Sequence, residues 1–330
     1  MKFGTKILFC CFILTSASSL KAQTETYMQP FSGLLIVNPA FAGFEKNTSF
    51  HSGNQHYIVS KDQTYNLFYT TYDTYSEKLK GGIGLTFQHG LIANQNITLS
   101  KLGVSYAGFE IKTNTARIIP SFSTEISLAT KQWFTYFIDN IFNSREEQPS
   151  LPGKQFTRYF IVKPVVGFLW DSRTITWGLS AGFPLRYSLS DDTAEGIQNE
   201  EQIPLSLSFY FTKKIEGKFK GLESSPFKVY PEIILFYNKA YLLNRVSLNM
   251  EQVTKIYGIF IQNDITNNMH CVGGTFGYRK NRFRIRLSTG IGIPGISENM
   301  GVTGELSLNI IIPPVHYSKI NPWAPKRKLD

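Results

Sequence analysis

The sequence predicts an all-β protein, a transmembrane antiparallel β-barrel of the outer-membrane type with about 14 strands. Runs of roughly eight to twelve residues alternate between apolar and polar side chains and are rich in aromatic and β-branched types. Turn-forming residues separate these runs, and no segment after the first 22 residues has the ~18 consecutive apolar residues of a membrane-spanning helix. An apolar segment at the N-terminus indicates export, so we expect the strands to cross the outer membrane.

The composition excludes several other classes of protein. Of the 330 residues, 42% are hydrophobic and 14% aromatic, which is too many for a disordered chain. Charged residues make up 18%, below the roughly 25% of soluble domains, and three cysteines are too few for a disulfide scaffold. Much of the formal net charge of +10 lies at the two ends of the chain. The remaining charge fits a polar barrel interior better than a nucleic-acid-binding face, so no nucleic-acid partner is expected.

Residues 1–22 have the pattern of a secretory signal peptide. Lys2 and Lys6 form a basic start, an apolar core follows, and small residues lead to an expected cut after Ala22. The apolar core is shorter than the ~20 residues that a membrane anchor needs. Removal of the signal leaves Cys271 as the remaining cysteine, and we expect it to be buried or to face lipid.

About fourteen alternating runs follow the signal, an even number that places both chain ends on one side of a bacterial barrel. In one run, Phe283, Ile285 and Leu287 alternate with Arg284 and Arg286. This alternation predicts apolar side chains toward lipid and arginines toward the lumen. The runs centre near residues 53, 68, 86, 102, 122, 165, 182, 207, 232, 247, 260, 275, 287 and 307.

The connections between the runs differ in length. Those at 171–173 and 280–282 are short, whereas those at 131–157, 191–202 and 213–226 are long and polar. Short turns on one rim and long loops on the other are typical of outer-membrane barrels, in which the short turns are periplasmic. We therefore expect an integral outer-membrane protein with both termini in the periplasm.

A soluble β-sandwich is the competing interpretation of the same alternation. Sandwich strands average about five to six residues, and the runs here are longer, which favours the barrel. Aromatic residues at the ends of runs, such as Trp170 and Trp177, would form interfacial girdles in a membrane. In a sandwich the same aromatics would belong to the core, so they do not decide between the two folds.

The segment after the signal contains a motif of six residues, Asn38, Pro39, Ala40, Phe41, Ala42 and Gly43. It resembles the start of the PorP/SprF family of Bacteroidetes outer-membrane proteins, in which a Gln-rich stretch and the sequence Asn-Pro-Ala-Tyr-Ala-Gly precede the first strand. Here Phe41 replaces the tyrosine. The glycine-rich run at 81–84 is similar to the third strand of the family, whereas the segment at 51–56 departs from the Arg-Gln-Trp-like strand that the family often has.

The motif has a physical interpretation of its own. Asn38 precedes a proline and is expected to be extended. Ala40, Ala42 and Gly43 are small and allow close packing against a wall or in the mouth of the barrel. The motif is therefore interpreted as a partner-binding or plug element, and a strand-entry turn without a partner is the alternative.

The resemblance implies a non-enzymatic role in type IX secretion. Members support the secretion or surface attachment of a partner that carries a C-terminal sorting domain, in some cases a gliding adhesin. Other implied partners are periplasmic or outer-membrane secretion components and outer-membrane lipid. The alternative function is a transport channel or fatty-acid-type transporter. The expected division is a signal peptide (1–22), a periplasmic or plug segment (23–46), the barrel (47–312) and a basic tail (313–330).

No catalytic, cofactor or metal site is expected. The five histidines occur without an HExxH or CxxC motif. His51 and His56 lie five residues apart, on opposite faces of a strand, so they would not share a metal. The adjacent side chains of His51 and Ser52 also diverge on a strand. A barrel hydrolase with a Ser–His pair at the outer rim is the weaker alternative.

The C-terminal tail begins at Pro313 and Pro314, which cannot continue the hydrogen-bond ladder. Tail residues that could contact a periplasmic partner are Trp323, Lys326, Arg327 and Lys328. A solvated tail end without a partner is the alternative.

Overall fold

The strands form one closed antiparallel sheet in the computed structural model, which describes residues 31–60, 63–92, 97–131, 158–188, 205–218, 226–238, 241–265, 268–293 and 301–313. One turn of α-helix, α1 (Leu34–Val37), and a 3₁₀ turn (Pro39–Phe41) precede the first strand. A helix with the length and apolar character of a membrane span is absent from the part of the chain that the structure describes.

The strand segments range from two residues to sixteen. In chain order they are β1 (Thr48–Ser60), β2 (Gln63–Ser76), β3 (Gly81–Ile92), β4 (Ile97–Gly108), β5 (Ile111–Lys112), β6 (Ala116–Lys131), β7 (Arg158–Ser172), β8 (Ile175–Gly182), β9 (Leu185–Ser188), β10 (Ser206–Lys213), β11 (Ile215–Lys218), β12 (Pro226–Asn238), β13 (Tyr241–Gln252), β14 (Lys255–Asp264), β15 (Met269–Lys280), β16 (Phe283–Gly292) and β17 (Val302–Ile312).

The barrel closes at β1, which pairs with β2 on one side and with β17 on the other. Three wall strands are interrupted once each and appear as β4 with β5, β8 with β9, and β10 with β11. Both parts of an interrupted strand bond to a common neighbour, as β4 and β5 do with β6. The wall therefore has 14 strands. Each predicted run centre falls on a different wall strand, so the predicted barrel and strand number are confirmed.

Side chains alternate between the outer face and the lumen. On β16, Phe283, Ile285 and Leu287 are 53%, 48% and 45% exposed, whereas Arg284 and Arg286 line an internal cavity. The buried polar residues of the other strands are mainly serine, threonine, asparagine and glutamine. A sandwich would bury its apolar face instead, so this alternation confirms the polar interior of a membrane barrel.

The two rims of the barrel carry different connections. The proximal rim contains the start of β1, the end of β17 and the turns at 173–174 and 281–282. The distal rim contains the long connections at 132–157 and 189–205. The connection between β11 and β12 lies at the proximal rim, so the expectation that all long loops share one rim is wrong. Because antiparallel strands alternate in direction, the place of a connection in the chain determines its rim, whatever its length.

Residues 31–46 lie inside the barrel and pack against its wall. A buried apolar cluster joins them to six strands of the wall, β4, β6, β7, β10, β12 and β13; its members are Phe31, Leu35, Val37, Ala40, Phe41, Ala42, Ala107, Ile119, Leu169, Tyr210, Ile234, Phe236 and Leu243. A second buried cluster contains Tyr57, Tyr65, Leu67, Tyr69, Met269 and Cys271. Cys271 is fully buried and free, in agreement with the expectation for this residue.

Candidate functional site

The motif at 38–43 folds into a tight turn inside the barrel. Asn38 is extended, with φ −151° and ψ 123°, as expected for a residue that precedes proline. Its Oδ1 accepts a hydrogen bond from the Ala40 amide at 2.9 Å and thereby caps the 3₁₀ turn. Pro39 suits the first position of this turn because an N–H there would have no partner within the turn.

Asn38 also attaches the motif to the barrel wall. Its Nδ2 donates to the carbonyls of Phe168 on β7 and Leu179 on β8, both at 3.1 Å. Two glycines of the wall leave space for this side chain. A Cβ at Gly167 would lie 2.7 Å from Oδ1, and a Cβ at Gly178 would lie 2.9 Å from Nδ2. Asn38 is 1% exposed, and its side-chain donor and acceptor both have partners, as a buried amide requires.

The backbone next to the motif binds the same side of the barrel. Ser180 Oγ on β8 donates to the Val37 carbonyl at 3.1 Å, and Ser208 Oγ on β10 donates to the same oxygen. Together with Asn38, these bonds attach the segment to three adjacent wall strands.

The end of the motif binds a second part of the wall, on β2 and β3. The Gly43 amide donates to Asp73 Oδ2 at 3.0 Å. Gly43 has a φ of +59°, a left-handed conformation that favours glycine. Gly82 on β3 lies so close that a side chain there would overlap the Ala42 carbonyl, and a Cβ at Gly84 would come within 2.8 Å of an α1 side chain. The glycine-rich run of the sequence is therefore where the segment approaches the strand most closely.

Glu305 on β17 binds the start of the segment at a third part of the wall. Its Oε1 accepts hydrogen bonds from the Ser32 amide at 2.9 Å and from the Tyr69 hydroxyl at 2.7 Å. Arg245 Nη1 on β13 lies 3.9 Å from Glu305 Oε2, and the Arg245 guanidinium lies 5.0 Å from the centre of the Phe31 ring. Both charged side chains are buried, so each needs the other as a counter-charge.

Aromatic side chains fill the space around the motif. Phe41 packs edge-on against Tyr210, with ring centres 5.1 Å apart, and against Phe44 at 5.5 Å. Arg117 lies 4.5 Å from the Phe44 ring centre, donates to the Phe44 carbonyl at 3.3 Å and pairs with Asp171 at 2.8 Å. These contacts hold the chain where it leaves the lumen for β1.

Two cavities adjoin the segment. The larger, which we call the vestibule, has a volume of about 560 Å³ and reaches the proximal rim at 173–174. The smaller, of about 50 Å³, is lined by wall residues of β3, β4, β6, β7, β8, β10 and β12. Leu35 lines both cavities, so the segment lies between them.

The structure places all six predicted motif residues in buried positions of one site. The predicted tail residues Trp323, Lys326, Arg327 and Lys328 lie outside the described residues. Sequence reasoning missed Glu305 as a partner of the segment. The sequence does place Glu305 on the inward-facing side of an alternating strand. The residues that it contacts could not be predicted from the sequence.

The described histidines do not form a metal site. His51 is buried on the lumenal face of β1, whereas His56 is exposed on its outer face, as the spacing predicts. In the part of the chain that the structure describes, no three His, Cys, Asp or Glu side chains are grouped so that they could hold a metal ion.

The resemblance that the motif suggested was tested by comparing the chain with models of known protein families. The family model described as type IX secretion system membrane protein PorP/SprF matches residues 19–310. The chain belongs to the PorP/SprF family. The match includes the motif, the lumenal segment and nearly the whole wall, and the family is described as one of secretion-system membrane proteins. No match was found among curated proteins.

Solved structures that resemble this PorP/SprF protein are outer-membrane barrels of low sequence identity. The monoaromatic hydrocarbon channel CymD has a TM-score of 0.50 and 10% identity, over 86% of this chain and 93% of CymD. The toluene transporter TbuX of Ralstonia pickettii has a TM-score of 0.47 and 8% identity, over 84% of this chain and 93% of TbuX. CdiB from Acinetobacter baumannii has a TM-score of 0.43 and 8% identity; the match covers 80% of this chain and 60% of CdiB. At these identities, the likeness to CymD supports the barrel fold alone.

Proposed function

We propose that this PorP/SprF protein is a non-enzymatic outer-membrane barrel that supports type IX secretion and the surface attachment of a partner with a C-terminal sorting domain. The observation that carries the proposal is the attachment of residues 31–46 to three parts of the wall. The segment occupies the lumen where a channel needs a passage. A barrel that is closed in this way is suited to docking a partner rather than to conducting solutes.

The partner is proposed to dock at the distal rim. The start of β1 and the end of β17 lie at the proximal rim. We assign this rim to the periplasm, where outer-membrane barrels with an even number of strands keep both ends of the wall. The distal rim then faces the cell exterior, and the long connections at 132–157 and 189–205 belong to this rim. Periplasmic secretion components would contact the opposite rim and the tail.

Deletion of residues 132–157 tests the proposed docking. Cells that secrete a reporter with a C-terminal sorting domain should keep it on the surface with the wild-type barrel and release it into the medium with the deletion variant. Deletion of residues 219–225 at the proximal rim is the matched control and should retain the reporter. Both deletion variants must show the heat-modifiable gel migration of a folded barrel, so that misfolding does not explain a loss of retention. Retention of the reporter by both folded variants would overturn the proposal.

A further inference from the structure

We propose that the vestibule binds an organic monocarboxylate through Arg286. Its volume of about 560 Å³ lies within the range of roughly 300–1,000 Å³ of small-molecule pockets. Residues of the segment form one side of it, and lumenal residues of β1, β12, β13, β16 and β17 form much of the other. A ligand would enter from the proximal rim.

Arg286 carries the proposal because its charge lacks a close partner. It projects from β16 into the vestibule, on the same face as Arg284. Arg284 pairs with Glu251 at 3.2 Å. For Arg286, no carboxylate of the described residues lies within the 4.0 Å of an ion pair, and its buried Nε has no hydrogen-bond partner among them. The Arg286 side chain is half-buried, and Glu232 of the vestibule attracts its charge without coming within ion-pair distance. A bound carboxylate would supply the hydrogen-bond acceptor that Nε lacks.

The surroundings of Arg286 leave room for a ligand. Its cross-strand neighbours are small, Gly277 on β15 and Ser307 on β17. Arg284 also has a buried Nε without a hydrogen-bond partner among the described residues. The fork of the Arg286 guanidinium can bind both oxygens of a carboxylate, and the charge of Arg284, two residues away on the same strand face, would add to the attraction.

The charge of the lining selects a monoanion. Six basic and five acidic side chains line the vestibule, and Glu216, outside the lining, pairs with two of the basic ones, Lys214 and Lys228. The surroundings therefore carry little net charge, which favours a ligand with a single negative charge over a polyanion. Phe31, Phe41 and Phe44 also line the vestibule and offer apolar contacts to the rest of the ligand. The ligand is therefore a peptide C-terminus or a free organic acid, which share the carboxylate.

Isothermal titration of the purified full-length protein in detergent tests the site. The probes are benzoate, the tetrapeptide acetyl-Gly-Gly-Gly-Phe with a free carboxylate, and the C-terminal amide of that peptide. We expect Arg286→Gln to weaken binding of the acid at least about tenfold. Arg286→Lys should have an intermediate effect because it keeps the charge and loses the planar fork. Arg282→Gln, in the exposed turn next to the strand, is the matched control and should bind like wild type.

The outcomes separate the sources of the carboxylate. Binding of the peptide acid but not of benzoate indicates a chain end, and binding of benzoate alone indicates a free acid; either result supports the site. Equal affinity of wild type and Arg286→Gln, or of the peptide acid and its amide, would overturn the proposal. So would the lack of binding of either acid by wild type at about 10 mM, a concentration at which even weak complexes form. If Arg286→Gln did not fold, the affinities of the wild-type protein for the peptide acid and for its amide would still test whether the site binds a carboxylate.

Discussion

Gly82 on β3 lies against the Ala42 carbonyl of the lumenal segment so closely that any side chain at Gly82 would overlap this carbonyl. Gly82→Val is therefore expected to displace the segment and to lower the free energy of unfolding by about 1–3 kcal/mol, the usual effect of overpacking. Thermal unfolding of the purified barrel measures the loss. Gly304→Val is the matched control, because a Cβ at Gly304 would meet nothing within 4 Å. An equal loss in both variants would show that the contact between Gly82 and Ala42 is unimportant.

Asn38→Ala removes the side-chain cap of the 3₁₀ turn and both bonds to the wall. The expected loss in the free energy of unfolding is about 2–4 kcal/mol, since a buried site loses three hydrogen bonds. Asn54→Ala is the control. Asn54 makes its hydrogen bond to Asn66, at 2.9 Å, on the exposed outer face, so the loss there should stay below about 1 kcal/mol. A small effect of Asn38→Ala would mean that the segment does not depend on this residue.

Glu305→Ala leaves Arg245 buried without its counter-charge and frees the Ser32 amide. We expect a loss of about 3–5 kcal/mol, as when one partner of a buried ion pair is removed. Glu305→Gln should lose less, because the amide oxygen can still accept from Ser32 and Tyr69. Glu216 is the control carboxylate, with a side chain that is 60% exposed, and Glu216→Ala should change stability by less than about 1 kcal/mol. Similar losses for Glu305→Ala and Glu216→Ala, measured by denaturant unfolding, would contradict the buried anchor.

The C-terminal tail, residues 313–330, is the subject of a prediction about partner contacts. Deletion of residues 315–330 removes Trp323 and the basic run at 326–328. If the tail contacts secretion components, the deletion should reduce their recovery in a pull-down from native membranes, while the barrel remains heat-modifiable. If the same amounts of secretion components were recovered with and without residues 315–330, the predicted contact with the tail would be wrong.

The strands of the wall could be predicted from the sequence because the alternation that marks them involves only neighbouring residues. A period of two residues places Phe283 and Arg284 on opposite faces without knowledge of any other strand. The contacts of the segment could not be predicted in this way. Asn38 bonds to carbonyls 130 and 141 residues away, and Ser32 bonds to a carboxylate 273 residues away. Which lumenal side chains meet the segment depends on the register of the closed barrel, which the alternation alone does not fix.

Single-channel conductance in planar lipid bilayers tests most directly whether residues 31–46 seal the barrel. The wild-type protein is predicted to show no steady current, because the segment is attached to three parts of the wall. A variant without residues 31–46 keeps all 14 wall strands and is predicted to conduct steadily. A steady wild-type current equal to that of the deletion variant would contradict the sealed barrel and favour a transport channel.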